Sequence, residues 1–164
     1  AALYGFASLH WQNAGHSNSL IGWLWAEGVI AEIALFSVSA WLVARFGARK
    51  LLLLAAVAGI IRWTMLGLTT DLAWLVVAQA LHAFTFSTTH VAAFAFILRN
   101  LPEDLSASAQ GLYDSLAMGL VFGLAMAAAG WVFAAAGPQA FLLMTAFSAA
   151  GGLGAAVLIW RKPK

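Results

Sequence analysis

Residues 79–90 read QALHAFTFSTTH, set in a segment whose other letters are nearly all Leu, Val, Ala, Phe and Ile. Two histidines, a glutamine and a run of hydroxyls would be ordinary on a water-facing helix. In a bilayer they are costly, and they mark an interior stripe. The surrounding run, residues 72–98, exceeds the roughly 20 residues that cross a bilayer at about 1.5 Å of rise each. Which reading holds decides the fold, and the rest of the chain makes the choice.

Composition points to lipid. Of 164 residues, 63% are hydrophobic and only 9% charged, against roughly 25% charged in ordinary soluble domains. So short and apolar a chain could not cover its own core with polar groups, so its solvent is the bilayer. With no cysteine there is neither a disulfide framework nor a thiolate metal site. The chain opens on AALYGFASLH, without an initiating Met or a basic leader. It reads as the interior of a longer polypeptide.

The apolar runs form one partial span, residues 1–10, and five full ones: 20–44, 51–68, 72–98, about 107–136, and 141–160. NAGHSNS, RFGARK, TTD, RNLPEDLS and GPQ separate them, and connections this short make successive helices antiparallel neighbours. Helices are required, because hydrocarbon offers no partner for a backbone amide. The expected fold is therefore all-α.

Lys and Arg orient it. Arg45, Arg49 and Lys50 follow the second span, Arg99 the fourth, and Arg161, Lys162 and Lys164 the sixth. The loops after the first, third and fifth spans have none. This asymmetry places the basic loops and the C-terminus in the cytoplasm of a multi-pass protein of the cell (inner) membrane. It also accounts for the net charge of +2 without a nucleic-acid partner. Trp23, Trp25, Trp74 and Trp160 lie where interfacial anchors belong, and Trp63 and Trp131 could pack between helices.

Arg62 belongs to no loop, and it has company inside the spans: Glu27, Glu32, Gln79, His82, His90, Gln110 and Asp114. A charge at the bilayer centre costs at least about 2.5 kcal/mol, so such groups face the bundle interior and pair. Any one could be an interhelical hydrogen bond serving assembly alone. So many, spread over four spans, point to a solute or proton path. At about 100° per residue, Gln79, His82, Thr89 and His90 share one stripe, whereas Glu27 and Glu32 diverge by about 140°. Depth along the helices suggests an outer cluster of Glu27, Arg62 and His82, and an inner one of Glu32, His90 and Asp114. A carboxyl's hold on a proton depends on its burial and on nearby cations, so moving Arg62 against Glu27 would couple a proton to a conformational change. Gly119 and Gly123 form a GxxxG, expected to let helices approach closely.

These residues together resemble the C-terminal six-helix half of a major facilitator superfamily transporter, with its first helix truncated. RFGARK matches the superfamily's loop motif G-x-x-x-D-R-x-G-R-[RK] in part: Arg45, Gly47, Arg49 and Lys50 make up the cytoplasmic loop motif here, while Ala40, Ala44 and Ala48 depart from it. RFGARKLLLLAAVAGIIRW followed by LHAFTFSTTH is similar to the lactose-permease-like and, above all, the phenylpropionate-permease-like proton symporters. The resemblance implies that residues 1–164 form one six-helix domain and that an N-terminal six-helix half partners it. It also implies that Arg62 and His82 serve proton and substrate, with Glu27 nearest to a substrate-binding acid of the sugar permeases. Where those permeases carry a proton-accepting Glu, this chain has Thr85, so the proton carboxylate would be Glu27, Glu32 or Asp114.

The expectation is thus a proton-coupled symporter of a small organic solute, an aromatic acid or a sugar-like compound, working by alternating access without cofactor or metal. The alternative is a membrane scaffold whose polar groups only join helices. An intramembrane enzyme is disfavoured, since His82 and His90 are about 80° apart on their helix and no HExxH accompanies them.

Overall fold

The structure, a computed structural model, describes residues 1–160. Among these the regular elements are all helical. They are α1 (Ala2–Asn13), α2 (Asn18–Ser37), α3 (Ser39–Leu68), α4 (Leu72–Asn100), α5 (Glu103–Asp114), α6 (Phe122–Ala136) and α7 (Ala140–Trp160). A π-helical stretch, Ser115–Val121, joins α5 to α6, and a single 3-10 turn, Gly137–Gln139, joins α6 to α7. Helices α2, α3, α4 and the α5–α7 stretch are long and apolar enough to cross a membrane.

The starts and stops have local causes. Ser17 caps α2 by accepting from the Leu20 amide at 3.3 Å, and Asp71 caps α4 by accepting from the Ala73 amide at 3.0 Å. Gly137 ends α6 at φ 61, in the left-handed region that side chains avoid.

Two sequence expectations need correction. The second span is not one helix over 20–44. It stops at Ser37, whose hydroxyl donates to the Ala34 carbonyl at 2.7 Å and competes with the helical ladder. The chain resumes at Ser39, and the RFGARK turn is a single-residue break inside α3: Gly47, at φ 70 and ψ 159, splits it into residues 39–46 and 48–68. The fifth span is likewise not one α-helix. The Ser115 hydroxyl bonds back to Gly111 O at 2.8 Å where the wider π winding begins.

Helix α3 lies at the centre, packed along α4 and α7, and α4 packs along α2. Glycine sets these distances, though not in the expected motif. A Cβ on Gly119 or Gly123 would meet nothing within 4 Å. The close approaches are at Gly28, facing Gln79 and His82 of α4, and at Gly59 and Gly67, facing Ser148 and Leu142 of α7. The apolar core gathers Leu3, Trp11, Leu24, Leu66, Leu75 and Phe141. Trp23, Trp74 and Trp160 are exposed, as interfacial anchors would be, and so is Trp131. Trp63 stacks on Phe141, and Trp25 stacks on Tyr4 and donates to Ser8 at 3.0 Å. Arg49, Lys50 and Arg99 line one groove, so these loop cations share one end of the bundle. Arg161, Lys162 and Lys164 lie outside the described residues.

Candidate functional site

The site grows from one stripe on α2. Leu24, Gly28 and Glu32 are spaced four apart and so share a face. That face meets α4. The Gln79 amide donates to the Leu24 carbonyl at 2.9 Å, and Gly28 leaves just enough room for Gln79 and His82 to lie across it. One turn on, Glu32 Oε1 reaches His82 Nε2 at 2.7 Å. Glu27 is turned about 100° from Gly28 and, among the described residues, forms no ion pair.

Arg62 approaches α4 from the other side. It is 1% exposed. Its Nε donates to the Ala78 carbonyl at 2.9 Å, one terminal nitrogen to Thr85 Oγ1 at 3.4 Å, and the other to Gln79 Oε1 at 3.4 Å. The guanidinium also lies over the Trp63 ring, 4.8 Å from its centroid. Thr85 Oγ1 donates in turn to the His82 carbonyl at 2.9 Å, so its oxygen is left to accept from Arg62. Among the described residues no carboxylate is in an ion pair with Arg62. The groups in direct contact with it are a carbonyl, an amide, a hydroxyl and an aromatic ring.

The expected two layers are therefore regrouped. Glu32 goes with His82, and Glu27 goes with neither His82 nor Arg62. Depth along a helix separates residues only along the membrane normal, whereas rotation about the helix decides which neighbour each faces. His90 and Asp114 do stand together, with Nε2 to Oδ1 at 3.7 Å, but apart from Glu32 and with Asp114 about half exposed. His90 is edged by Phe86, Phe94 and Tyr113 in an aromatic cluster.

Tyr4, on the short first helix, was not singled out from the sequence. Its hydroxyl lies 3.1 Å from His82 Nε2, the same nitrogen that Glu32 approaches. The signal was a tyrosine in an otherwise apolar half-span. Nothing in the sequence alone joins it to a histidine 78 positions away. One imidazole nitrogen holds either a proton or a lone pair. Nε2–H can donate to Glu32, or a bare Nε2 can accept from Tyr4 or from a protonated Glu32. His82 Nδ1 is buried without a hydrogen-bond partner, which favours leaving it bare and putting the ring proton on Nε2, toward Glu32.

A cavity of about 640 Å³ opens beside these groups, between α1, α3, α4, the π-helical stretch and α7. Arg62, His82, Tyr4 and Thr85 supply polar wall, and Trp63, Phe86, Tyr113 and Phe122 supply aromatic wall. Glu27, Glu32, Gln79 and Asp114 do not line it. Of the loop motif, Gly47, Arg49 and Lys50 line the separate groove at the far end of α4, and Arg45 sits over the Phe46 ring at 5.9 Å. No cluster of three metal-ligating side chains occurs among the described residues.

The comparisons with known proteins agree in kind. A family model, the MFS_1 like family, matches residues 1–156. The chain is also similar to a "Probable 3-phenylpropionic acid transporter" of Escherichia coli (strain K12), 39% identical over 144 residues. That alignment covers 88% of this chain and 38% of the relative, so the chain spans well under half of the relative's length. No solved structure matches.

Proposed function

The chain belongs to the MFS_1 like family, a multi-pass family of transporters rather than enzymes, and from that premise we propose that it takes up a small aromatic carboxylate together with a proton. In this reading residues 1–164 are the C-terminal six-helix half of a twelve-helix bundle in the cell membrane, with its C-terminus in the cytoplasm. An N-terminal half completes the solute path, and the two halves rock about it. The relative's printed name supplies the solute class. The observation that carries the proposal is Arg62: a buried guanidinium on the wall of an aromatic-lined cavity, in an ion pair with no described carboxylate.

The chemistry follows from that imbalance. A buried cation in no ion pair with a described carboxylate is completed by an anion that brings its own charge, and a planar fork suits a carboxylate. The ring of the solute then meets Trp63, Phe86 and Tyr113. A solute anion entering next to His82 also changes where the neighbouring proton rests. Tyr4 and Glu32 compete for His82 Nε2. A solute that engages the Tyr4 hydroxyl leaves Nε2–H to Glu32, and a proton arriving on the free oxygen of Glu32 removes the negative charge to which Nε2–H donates. Solute and proton thereby act on one nitrogen.

The test is transport by the full-length protein that carries this chain, with Glu32→Gln as the key variant. Glutamine keeps the shape and can accept from Nε2–H, but it cannot take up a proton. Solute exchange down a gradient is expected to persist. Accumulation driven by a pH gradient, about tenfold per unit for one proton per solute, is expected to vanish. An E32Q protein that still accumulates solute and alkalinises the medium would remove Glu32 from the coupling. Wild-type uptake of the solute's neutral amide as fast as of its carboxylate would remove Arg62 as the anion partner.

A further inference from the structure

The second concavity lies at the opposite end of α4 from Asp71, away from the His82 site. It is a groove of about 420 Å³ between the Gly47 break of α3, the last turns of α4 and Ile159 of α7. Arg49, Lys50 and Arg99 line it, and no carboxylate does. Among the described residues neither Lys50 nor Arg99 is in an ion pair. Both are exposed. The nearest acids in sequence, Glu103 and Asp104, begin α5 beyond the groove and form none of its wall. The rest of the lining is mostly apolar, with Val43, Phe46 and Phe96 foremost. Phe46 and Phe96 are 42% and 43% exposed.

We propose that this groove holds the headgroup of an anionic phospholipid, its phosphate between Lys50 and Arg99 and the upper acyl carbons against Phe46 and Phe96. Two features select a lipid over a free anion. The groove sits where apolar spans end, at the depth where a phosphate and a hydrocarbon chain meet. Its apolar wall also has no use for inorganic phosphate. Basic pockets between spans are suited to lipid headgroups, and each cation near the surface contributes about fivefold in affinity. Gly47, at φ 70, breaks α3 between Phe46 and Lys50, and all three line the groove. The groove shares no lining residue with the Arg62 cavity.

The experiment uses the full-length protein in detergent, titrated with phosphatidylglycerol or phosphatidylcholine of equal chain length, with bound lipid counted by native mass spectrometry. Wild type is expected to retain phosphatidylglycerol preferentially. The pair Lys50→Gln and Arg99→Gln should lose about 25-fold, each single change about fivefold, with thermal stability in pure detergent unchanged. Lys50→Arg with Arg99→Lys should keep the preference. Because the single variants are read separately, a double variant that fails to fold leaves the fivefold expectation intact to be measured. Three results would overturn the proposal: equal retention of the two lipids by wild type, undiminished phosphatidylglycerol binding in both single variants, or displacement of the lipid by millimolar inorganic phosphate.

Discussion

Replacing Gly59 by alanine tests how closely α3 and α7 pack beside the cavity, and the structure predicts a change of sign. An added Cβ would stand 2.6 Å from Ser148 Oγ, 3.0 Å from Ser148 Cβ and 3.7 Å from Thr85 Cγ2. The hydroxyl can rotate away, but Ser148 Cβ is anchored to the α7 backbone and cannot. Overpacking of this kind costs about 1–3 kcal/mol. Against it stands alanine's helix preference over glycine, about 1 kcal/mol. Gly59→Ala alone is therefore expected to destabilise by about 1 kcal/mol, a fall of about 2–4 °C in melting temperature for a unit of this size. Ser148→Gly removes both close atoms, so in that background the same Gly59→Ala change should raise the melting temperature. Ser148→Ala removes only the hydroxyl, and the effect should fall between. Thermal unfolding of the six combinations in one detergent, followed by size-exclusion fluorescence, reads the comparison directly. A Gly59→Ala effect of the same sign and size in both backgrounds would show that α3 and α7 do not meet there.

Gln79→Leu should cost about 0.6–1.7 kcal/mol, because it frees the Leu24 carbonyl and one Arg62 nitrogen. The loss would be seen as faster thermal aggregation, and Gln79→Glu should differ from it by restoring a partner for Arg62. His90→Phe should leave stability within about 0.5 kcal/mol in the same melt, since its partner Asp114 is half exposed at 3.7 Å and the neighbouring rings can pack against phenylalanine. A large loss there would mean that the pair is buried in the assembled protein.

The spans were legible because each is an apolar run closed by turn residues, and hydrocarbon allows no other backbone solution. The breaks were not. Ser37 and Ser115 read as ordinary small residues, and only the folded geometry turns their hydroxyls back onto the preceding turn. The Gln79–His90 stripe could be read from spacing, and Arg62 could be identified as buried by its cost. The partner of His82 was assigned by depth, which counts rise and ignores rotation. From Asn18 to Glu32 is 14 residues and from Leu72 to His82 is 10, a mismatch of about 6 Å that argued against pairing them. The better clue was L-x-x-x-G-x-x-x-E from Leu24 to Glu32. A glycine four residues before an acid puts the acid on the face where helices come closest.

Thr85 connects the two halves of the argument. In the sugar permeases that this chain resembles, its position carries an acid. An acid there would stand where Arg62 now reaches a hydroxyl at 3.4 Å, and the guanidinium would carry an internal counter-ion. A threonine can accept one hydrogen bond from Arg62 but returns no charge. Among the described residues no carboxylate then forms an ion pair with Arg62, while the titratable pair lies across α4, at Glu32 and His82. In the proposed function, separating the two jobs changes what the cavity can hold. With an acid beside it, Arg62 would favour neutral, hydroxyl-rich solutes that bridge the pair. Without one, a neutral solute leaves a buried cation unpaired, and an anion relieves it. The prediction that tests this is Thr85→Glu in the full-length protein. It should lower carboxylate uptake at least tenfold while leaving the fold intact. If T85E transports the carboxylate as wild type does, the solute's charge is met by another residue.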